Sequence, residues 1–388
     1  MNKDFRQIET PFYYYDTALL KATLNAIRSE LVQFPNYHIH YALKANSNPK
    51  LLEIIQQTGF GADCVSSGEI STALDAHFSA NQIVFAGVGK SDQEILLGLR
   101  NDILCFNVES IPELQVINEL AARENKVARV CFRINPDIKA HTHKNIRTGL
   151  AENKFGIAWS EMVDVVKLAN AMPNIHFKGL HFHIGSQITN MDDFRNLCLR
   201  INELQNQLES NGLHAEMINV GGGLGVDYEQ PQLHNIPDFH AYFHTYATYL
   251  QLRPGQTLHF ELGRSLVAQC GTLITRVLYV KQGTSKQFAI VDAGMTDLLR
   301  PALYHANHAI ENISSIADTR EQYDVVGPIC ESSDVFGVDI LLPTTQRGDL
   351  LAIHSVGAYG ETMASCYNCR QLPQSYTDQE IGTSYIVG

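Results

Sequence analysis

The stretch HIHYAL, residues 38–43, decides how the rest of the chain is read. It is short and rich in β-branched and aromatic residues, which is the composition of a strand. Seven more runs of the same kind follow it: ADCV at 62–65, IVFA at 83–86, ILCFNV at 103–108, VARVCFRI at 127–134, KGLHFHI at 178–184, EMINV at 216–220 and TLHFEL at 257–262. Segments with helical spacing separate them, among them 49–58, 68–76, 110–124, 160–171 and 191–211. Eight strands alternating with helices predict an α/β fold, a (β/α)8 TIM barrel over residues 27–262. An open doubly wound sheet of eight strands is the alternative.

Beyond Glu261 the texture changes. Strand-like runs at 265–282, 287–294, 323–330 and 349–360 succeed one another with Gly or Pro connections and little helix between them. That pattern predicts a C-terminal antiparallel β domain. The strand-like PFYYYD at 11–16 precedes the barrel and is expected to join it, giving a second unit of 1–26 plus 263–388.

Composition narrows the function. The 388 residues are 45% hydrophobic and 18% charged, with 29 Lys and Arg against 41 Asp and Glu, a net charge of −12. An acidic chain without a basic run is a poor partner for nucleic acid or an anionic membrane surface. The first nine residues are polar and charged, unlike a signal peptide, and no apolar stretch is long enough to span a membrane. Eight scattered cysteines, with a single CxxC at 366–369, suit neither a paired zinc motif nor a thioredoxin-like site near the start of a helix. A cytoplasmic protein acting on a small molecule is the expectation.

In a barrel of this kind the working residues stand at the C-terminal ends of the strands. Those positions hold Lys44, Asp63, Arg133, the group His181, His183 and Ser186, the run Gly221-Gly222-Gly223-Leu224-Gly225, and Glu261-Leu262-Gly263-Arg264. Lys44 is either a solvated loop lysine or, desolvated beside Ala42 and Ala45, a Schiff-base nucleophile. The glycines, with Gly263 and Arg264, suit a phosphate. Glu261 is a strand-end carboxylate or simply an ion-pair partner of Arg264. His181 and His183, like His141 and His143, invite a metal reading. Strand alternation, however, sends one of the strand-6 pair to the lumen and the other to the helix layer, so no metal is expected in catalysis. One histidine packing flat on a planar cofactor is preferred.

YALKAN (41–46), ADCVSSGE (62–69), HFHIGSQ (181–187), GGGLG (221–225), ELGR (261–264), GPICESSD (327–334) and GAYG (357–360) occur in this order. Together they closely resemble the diaminopimelate decarboxylase family of fold-type III pyridoxal 5'-phosphate (PLP) enzymes, from about residue 10 to 370. The resemblance implies a PLP-binding, alanine-racemase-like barrel with a β domain, and a cofactor held covalently by Lys44. Gly222, Gly223, Ser186 and the backbone of Leu262, Gly263 and Arg264 would hold its phosphate. Glu261 would face the pyridine nitrogen and His183 would stack on the ring, with Asp63 and Arg133 as supporting contacts. Cys330, otherwise a small buried hydrophobe, would be the proton donor. Arg264, Arg300, Tyr304, Glu331 and Tyr359 would bind the distal end of meso-diaminopimelate, and Tyr359 would also touch the cofactor. A homodimer with active sites shared between subunits is implied as well.

Three positions depart from the family pattern. ELGR stands for the commoner EPGR, the second serine of CESSD for glycine, and CYNC brings cysteines where small residues are usual. Proline and glycine act through backbone shape, so no chemical group is lost. CYNC reads as small packed residues or a surface thiol pair. The alternatives are a decarboxylase of carboxynorspermidine or a basic amino acid, a racemase of the same fold, and a non-catalytic PLP-binding regulator.

Overall fold

The computed structural model describes residues 5–138 and 154–383. His141 and His143 lie outside the described residues. The chain divides into two compact units, one of residues 24–225 and 238–263, the other of 1–23, 226–237 and 264–388.

The first unit is a closed parallel barrel. Its strands are β2 (Tyr37–Ala42), β3 (Gly61–Cys64), β4 (Ile83–Phe85), β5 (Cys105–Val108), β6 (Ala128–Asn135), β8 (Ile175–His181), β9 (Met217–Asn219) and β10 (Thr257–Leu262). The β5–β6 and β10–β2 pairings close the ring, and β7 (Ile157–Ala158) adds to the edge of β6. All eight expected strands are present, and the open sheet is excluded.

Helices α1 (Thr17–Leu31), α2 (Pro49–Gln56), α3 (Ser67–Asp75), α4 (Asp92–Arg100), α5 (Ile111–Arg123), α6 (Met162–Ala171), α7 (Met191–Glu209) and α8 (Phe239–Tyr249) complete the alternation. Three successive helices open on the same device, a serine cap with glutamate three residues on. Ser66, Ser91 and Ser110 accept from the N–H groups of Glu69, Glu94 and Glu113. The glutamates then tie the rim together. Glu94 accepts from the Ser67 N–H at the start of α3, and Glu113 from the N–H of Glu109. On the outer face of β10, Phe260 packs on Tyr242, Phe243 and Tyr246 of α8, so helix and strand bury a continuous aromatic layer.

The second unit is a mixed sheet ordered β13-β16-β11-β12-β14-β15. These are β11 (Gly271–Gln282), β12 (Gln287–Val291), β13 (Ile310–Asn312), β14 (Arg320–Val326), β15 (Val335–Pro343) and β16 (Leu350–His354). β1 (Phe12–Tyr15) pairs antiparallel with β11 and parallel with β17 (Gln374–Thr377), so the N-terminal strand does enter this sheet. Phe5, Phe12, Tyr14, Ile274 and Leu350 form its core.

The purely antiparallel reading is corrected. β12 and β14 run parallel because the long connection through α10 (Arg300–Tyr304) and β13 returns the chain in the same sense. The start of the 265–282 run is helical, as α9 (Arg264–Val267). The domain limits shift as well. Residues 226–237 go with the sheet unit rather than the barrel, held by Tyr228 accepting from Arg264 and by the Asp227 carbonyl accepting from Gln269. Among the described residues no helix is long and apolar enough to cross a membrane.

Candidate active site

Four barrel strands send polar side chains to one point. The Asn107 and Asn219 amides both donate to Glu261 Oε1, at 2.9 and 2.7 Å, and His181 Nε2 donates to Oε2 at 3.0 Å. All four side chains are buried. Burial alone would push the Glu261 carboxyl up. The charge and hydrogen bond of His181, with Lys44 beyond, outweigh it and hold the group well below the usual carboxylate range. The result is a dry, ionised carboxylate whose neighbours are donors. His181 Nδ1 is buried with no hydrogen-bond partner.

Lys44 sits in the 3-10 turn Leu43–Ala45 directly after β2, its side chain 40% exposed, with Nζ 3.1 Å from Asp63 Oδ2. Asp63 is fully buried in β3. Its burial, then the negative charge of Glu261, push its carboxyl up to about 6, against the pull of Lys44. Arg133, buried in β6, donates to Glu109 Oε1 at 3.0 Å and covers the Phe155 ring. Glu109 in turn accepts the N–H groups of Gly87 and Gly156.

β8 ends at His181, three residues before the predicted end, so alternation does not extend to His183. The alternation argument therefore does not apply to His183. Burial, then the charges of Arg133 and Lys44, push its imidazole well down and keep it neutral. His183 Nδ1 accepts from the Gly222 N–H at 3.4 Å.

After β9 the backbone turns through the glycine run. A Cβ on Gly222 would lie 2.1 Å from the Glu261 carbonyl oxygen. Gly223, at φ +114°, passes so close to the loop holding Ser186 that a Cβ would meet the Gly185 oxygen at 2.8 Å. Only glycine fits both places, and the turn presents bare backbone. Leu262 ends β10 and Gly263 follows it.

In the sheet unit a second cluster forms around two buried arginines. Arg264 Nη1 donates to the Tyr228 hydroxyl at 2.5 Å, and its guanidinium lies 5.0 Å from the Tyr359 ring centre. Arg300, at the start of α10, lies 4.8 Å from the Tyr228 ring centre. Its Nη1 donates to His308 Nε2 at 3.0 Å, while His308 Nδ1 donates to the His354 carbonyl. Burial, then Arg300, pull the His308 imidazole down to about 3, so it accepts as a neutral ring. Tyr304 closes α10, and its hydroxyl acts electrostatically on Arg264.

Cys330 and Glu331 are exposed between β14 and β15, where Glu331 Oε1 accepts from the Tyr367 hydroxyl at 2.9 Å. Cys330 is thus exposed and is not a small buried hydrophobe. Tyr367 belongs to CYNC, and Cys366 and Cys369 beside it are exposed free thiols.

Sequence reasoning missed Asn107, Asn219, Glu109 and Tyr228. A signal existed for two of them, since Asn219 directly precedes the glycine run and Asn107 sits inside an otherwise apolar strand. A buried carboxylate requires such donors.

Residues 20–268 match the pyridoxal-dependent decarboxylase family, in its pyridoxal-binding domain. A diaminopimelate decarboxylase of Bacteroides thetaiotaomicron is 64% identical, covering 97% of this chain and 97% of that protein. The crystal structure of diaminopimelate decarboxylase from Helicobacter pylori complexed with L-lysine superposes with a TM-score of 0.90 at 42% identity, covering 96% of this chain and 92% of that one. The crystal structure of diaminopimelate decarboxylase from M. jannaschii in co-complex with L-lysine superposes with a TM-score of 0.85 at 34% identity, covering 98% of this chain and 92% of that one. By the family match over residues 20–268 and the 64% identity over nearly the whole chain, the protein belongs to the pyridoxal-dependent decarboxylases and, among them, to the diaminopimelate decarboxylase family.

Proposed function

We propose that this chain uses PLP to decarboxylate meso-2,6-diaminopimelate to L-lysine and CO2. The observation that carries the reading is the buried, ionised Glu261, fixed by three donors in the same barrel mouth as Lys44. Such a carboxylate fits a protonated ring nitrogen, and the side-chain-free glycine turn fits a phosphate. Bound PLP would supply the electron sink for the pair left behind when CO2 departs.

The chain's own residues do the rest. The Lys44 amine holds the cofactor and yields to the amino group of the substrate. Gly222, Gly223, Ser186 and the backbone at Leu262, Gly263 and Arg264 bind the phosphate. Glu261 keeps the ring nitrogen protonated, and neutral His183 lies against the ring face. Asp63 orients Lys44, and Arg133 braces the rim through Glu109. Cys330 delivers a proton to the carbon that lost its carboxylate. Arg264, Arg300, Tyr304 and Tyr359 suit the distal carboxylate, and Glu331 the distal ammonium, with Tyr359 also touching the cofactor.

Cys330 and Glu331 are exposed in the single chain, which suits residues that complete the site of a second copy in a homodimer. Five buried free thiols favour a reducing compartment, the cytoplasm. The test is a substrate panel of meso-diaminopimelate, ornithine, arginine and carboxynorspermidine, following CO2 release. Release from diaminopimelate supports the reading. Preference for another member, or no release from any, overturns it.

A further inference from the structure

We propose that Glu30, His240 and His244 form a binding site for Zn²⁺ or a similar borderline divalent ion, on the outer helices of the barrel and apart from the decarboxylation chemistry. His240 and His244 are four residues apart on α8, one turn of one face. The other side of that helix, with Phe239, Tyr242, Phe243 and Tyr246, is buried. Glu30, near the end of α1, meets the two rings. His240 Nδ1 lies 3.1 Å and His244 Nε2 3.8 Å from the same oxygen, Glu30 Oε2. Among the described residues this is the group of three possible metal ligands whose donor atoms all lie within 4.8 Å of one another.

The spacing is that of a coordination shell rather than of a finished hydrogen-bond network. A tetrahedral zinc ion with bonds of about 2.0–2.1 Å holds its ligand atoms about 3.3–3.4 Å apart. The two distances to Glu30 Oε2 bracket that value, and the third is within 4.8 Å. His244 Nε2 is shielded from solvent and has no hydrogen-bond partner, a state that calls for an occupant. The ring centres are 4.0 Å apart, so an ion between the two imidazoles replaces an interaction that protonation of both would make repulsive. Glu30 Oε2 also receives the Gln33 amide at 3.2 Å, which steadies the carboxylate. Two imidazoles and one carboxylate select Zn²⁺, Co²⁺, Ni²⁺ or Cu²⁺ over Mg²⁺ or Ca²⁺, and water would fill the open positions.

The position gives the ion a consequence. Glu30 lies on the helix before β2 and the histidines on the helix before β10, and β2 and β10 pair to close the barrel. One ion would join residues 210 apart in sequence across that seam. An ion that binds the folded barrel and not the unfolded chain stabilises it by mass action.

Holoenzyme stripped with a chelator is titrated with Co²⁺ and, separately, heated with and without Zn²⁺. The expected result is one Co²⁺ per chain, with the visible bands of a nitrogen–oxygen site and no thiolate charge-transfer band, and a Zn²⁺-dependent rise in unfolding temperature. Glu30→Gln and His240→Ala should each weaken Co²⁺ binding at least about tenfold, since even indirect partners of a metal cost that much. Both should abolish the Zn²⁺ effect while decarboxylation in chelator stays at the wild-type rate. Binding unchanged in both variants, a thiolate band pointing to Cys330, Cys366 or Cys369, or no saturation up to on the order of 1 mM would overturn the site. The result is independent of which amino acid the enzyme decarboxylates.

Discussion

Replacing Asn107 and Asn219 by leucine tests whether the Glu261 carboxylate works only because it is held. Leucine keeps the volume and removes the donor. Each amide makes one hydrogen bond to an ionised carboxylate, at 2.9 and 2.7 Å, and such bonds contribute about 1.5–3 kcal/mol. If that energy is expressed in the transition state, each single variant should lose roughly 10- to 150-fold in kcat, at 1.36 kcal/mol per factor of ten. Both amides serve the same oxygen. After one is lost, Oε1 keeps a partner, and the second loss leaves a bare buried acceptor. The double variant should therefore fall by more than the product of the singles. Asn219 also accepts the Gly221 N–H at 2.8 Å, so its variant should in addition bind PLP more weakly, whereas the Asn107 variant should not. The assay is CO2 release at saturating PLP, with cofactor absorbance and thermal unfolding on the same samples. A folded, PLP-loaded double variant within threefold of wild-type kcat would refute the idea that these amides set the carboxylate.

The remaining predictions concern Asp63, the distal residues and the assembly. The Asp63 carboxyl is raised on folding to about 6, so the fold favours its neutral form. Its contribution to stability is full below the ordinary carboxylate range and is lost as pH rises to about 6. Asp63→Asn should therefore stabilise the apoprotein relative to wild type more at pH 7 than at pH 4 in thermal unfolding, and the reverse trend would contradict the assignment. Glu331→Asp should raise KM for diaminopimelate and leave PLP binding intact, because only the reach to the distal ammonium shortens. Arg300→Ala should raise it further, by about 2–5 kcal/mol in apparent binding if its bond to the substrate is buried; unchanged KM in both would misplace the pocket. Lys44→Ala and Cys330→Ala should each be nearly inactive alone. Refolded as an equal mixture, about half the dimers should be mixed, each with one intact site of two, returning about a quarter of wild-type activity. No recovery, with mixed dimers confirmed by mass, would sink the shared site.

The barrel was legible because each of its strands is a short apolar run whose neighbours in sequence are helices, and that pattern is local. The helices themselves were less visible. α8 reads FHAYFHTYATY, aromatic-rich and poor in strong helix formers, and it is helical because Phe239, Tyr242, Phe243 and Tyr246 recur at helical spacing and pack on one another and on Phe260. α1 crosses the expected boundary between residues 26 and 27, because the strand just before it dominates the local pattern. In the sheet unit the runs were visible but not their directions. Whether β12 and β14 pair parallel depends on the path of residues 292–319, and no local pattern records that path.

The site divides along the same line. Residues that act through their own chemistry at strand ends, such as Lys44, Glu261 and the glycine run, stand out from apolar surroundings. Residues that act by completing another group do not, because their meaning lies in a partner far away in sequence. Asn107 is 154 residues from Glu261, His181 is 80 and Asn219 is 42. Closure of the barrel removes that distance. β10 pairs with β2 so that Glu261 stands beside His40 and Leu262 beside Tyr41, which puts the carboxylate of the last barrel strand next to the strand that leads into the turn holding Lys44. A lysine at 44 and a glutamate at 261 are each unremarkable alone. The seam between the first and last barrel strands makes them neighbours, burial keeps water away from the carboxylate, and the amides from β5 and β9 supply the donors that let Glu261 stay charged there.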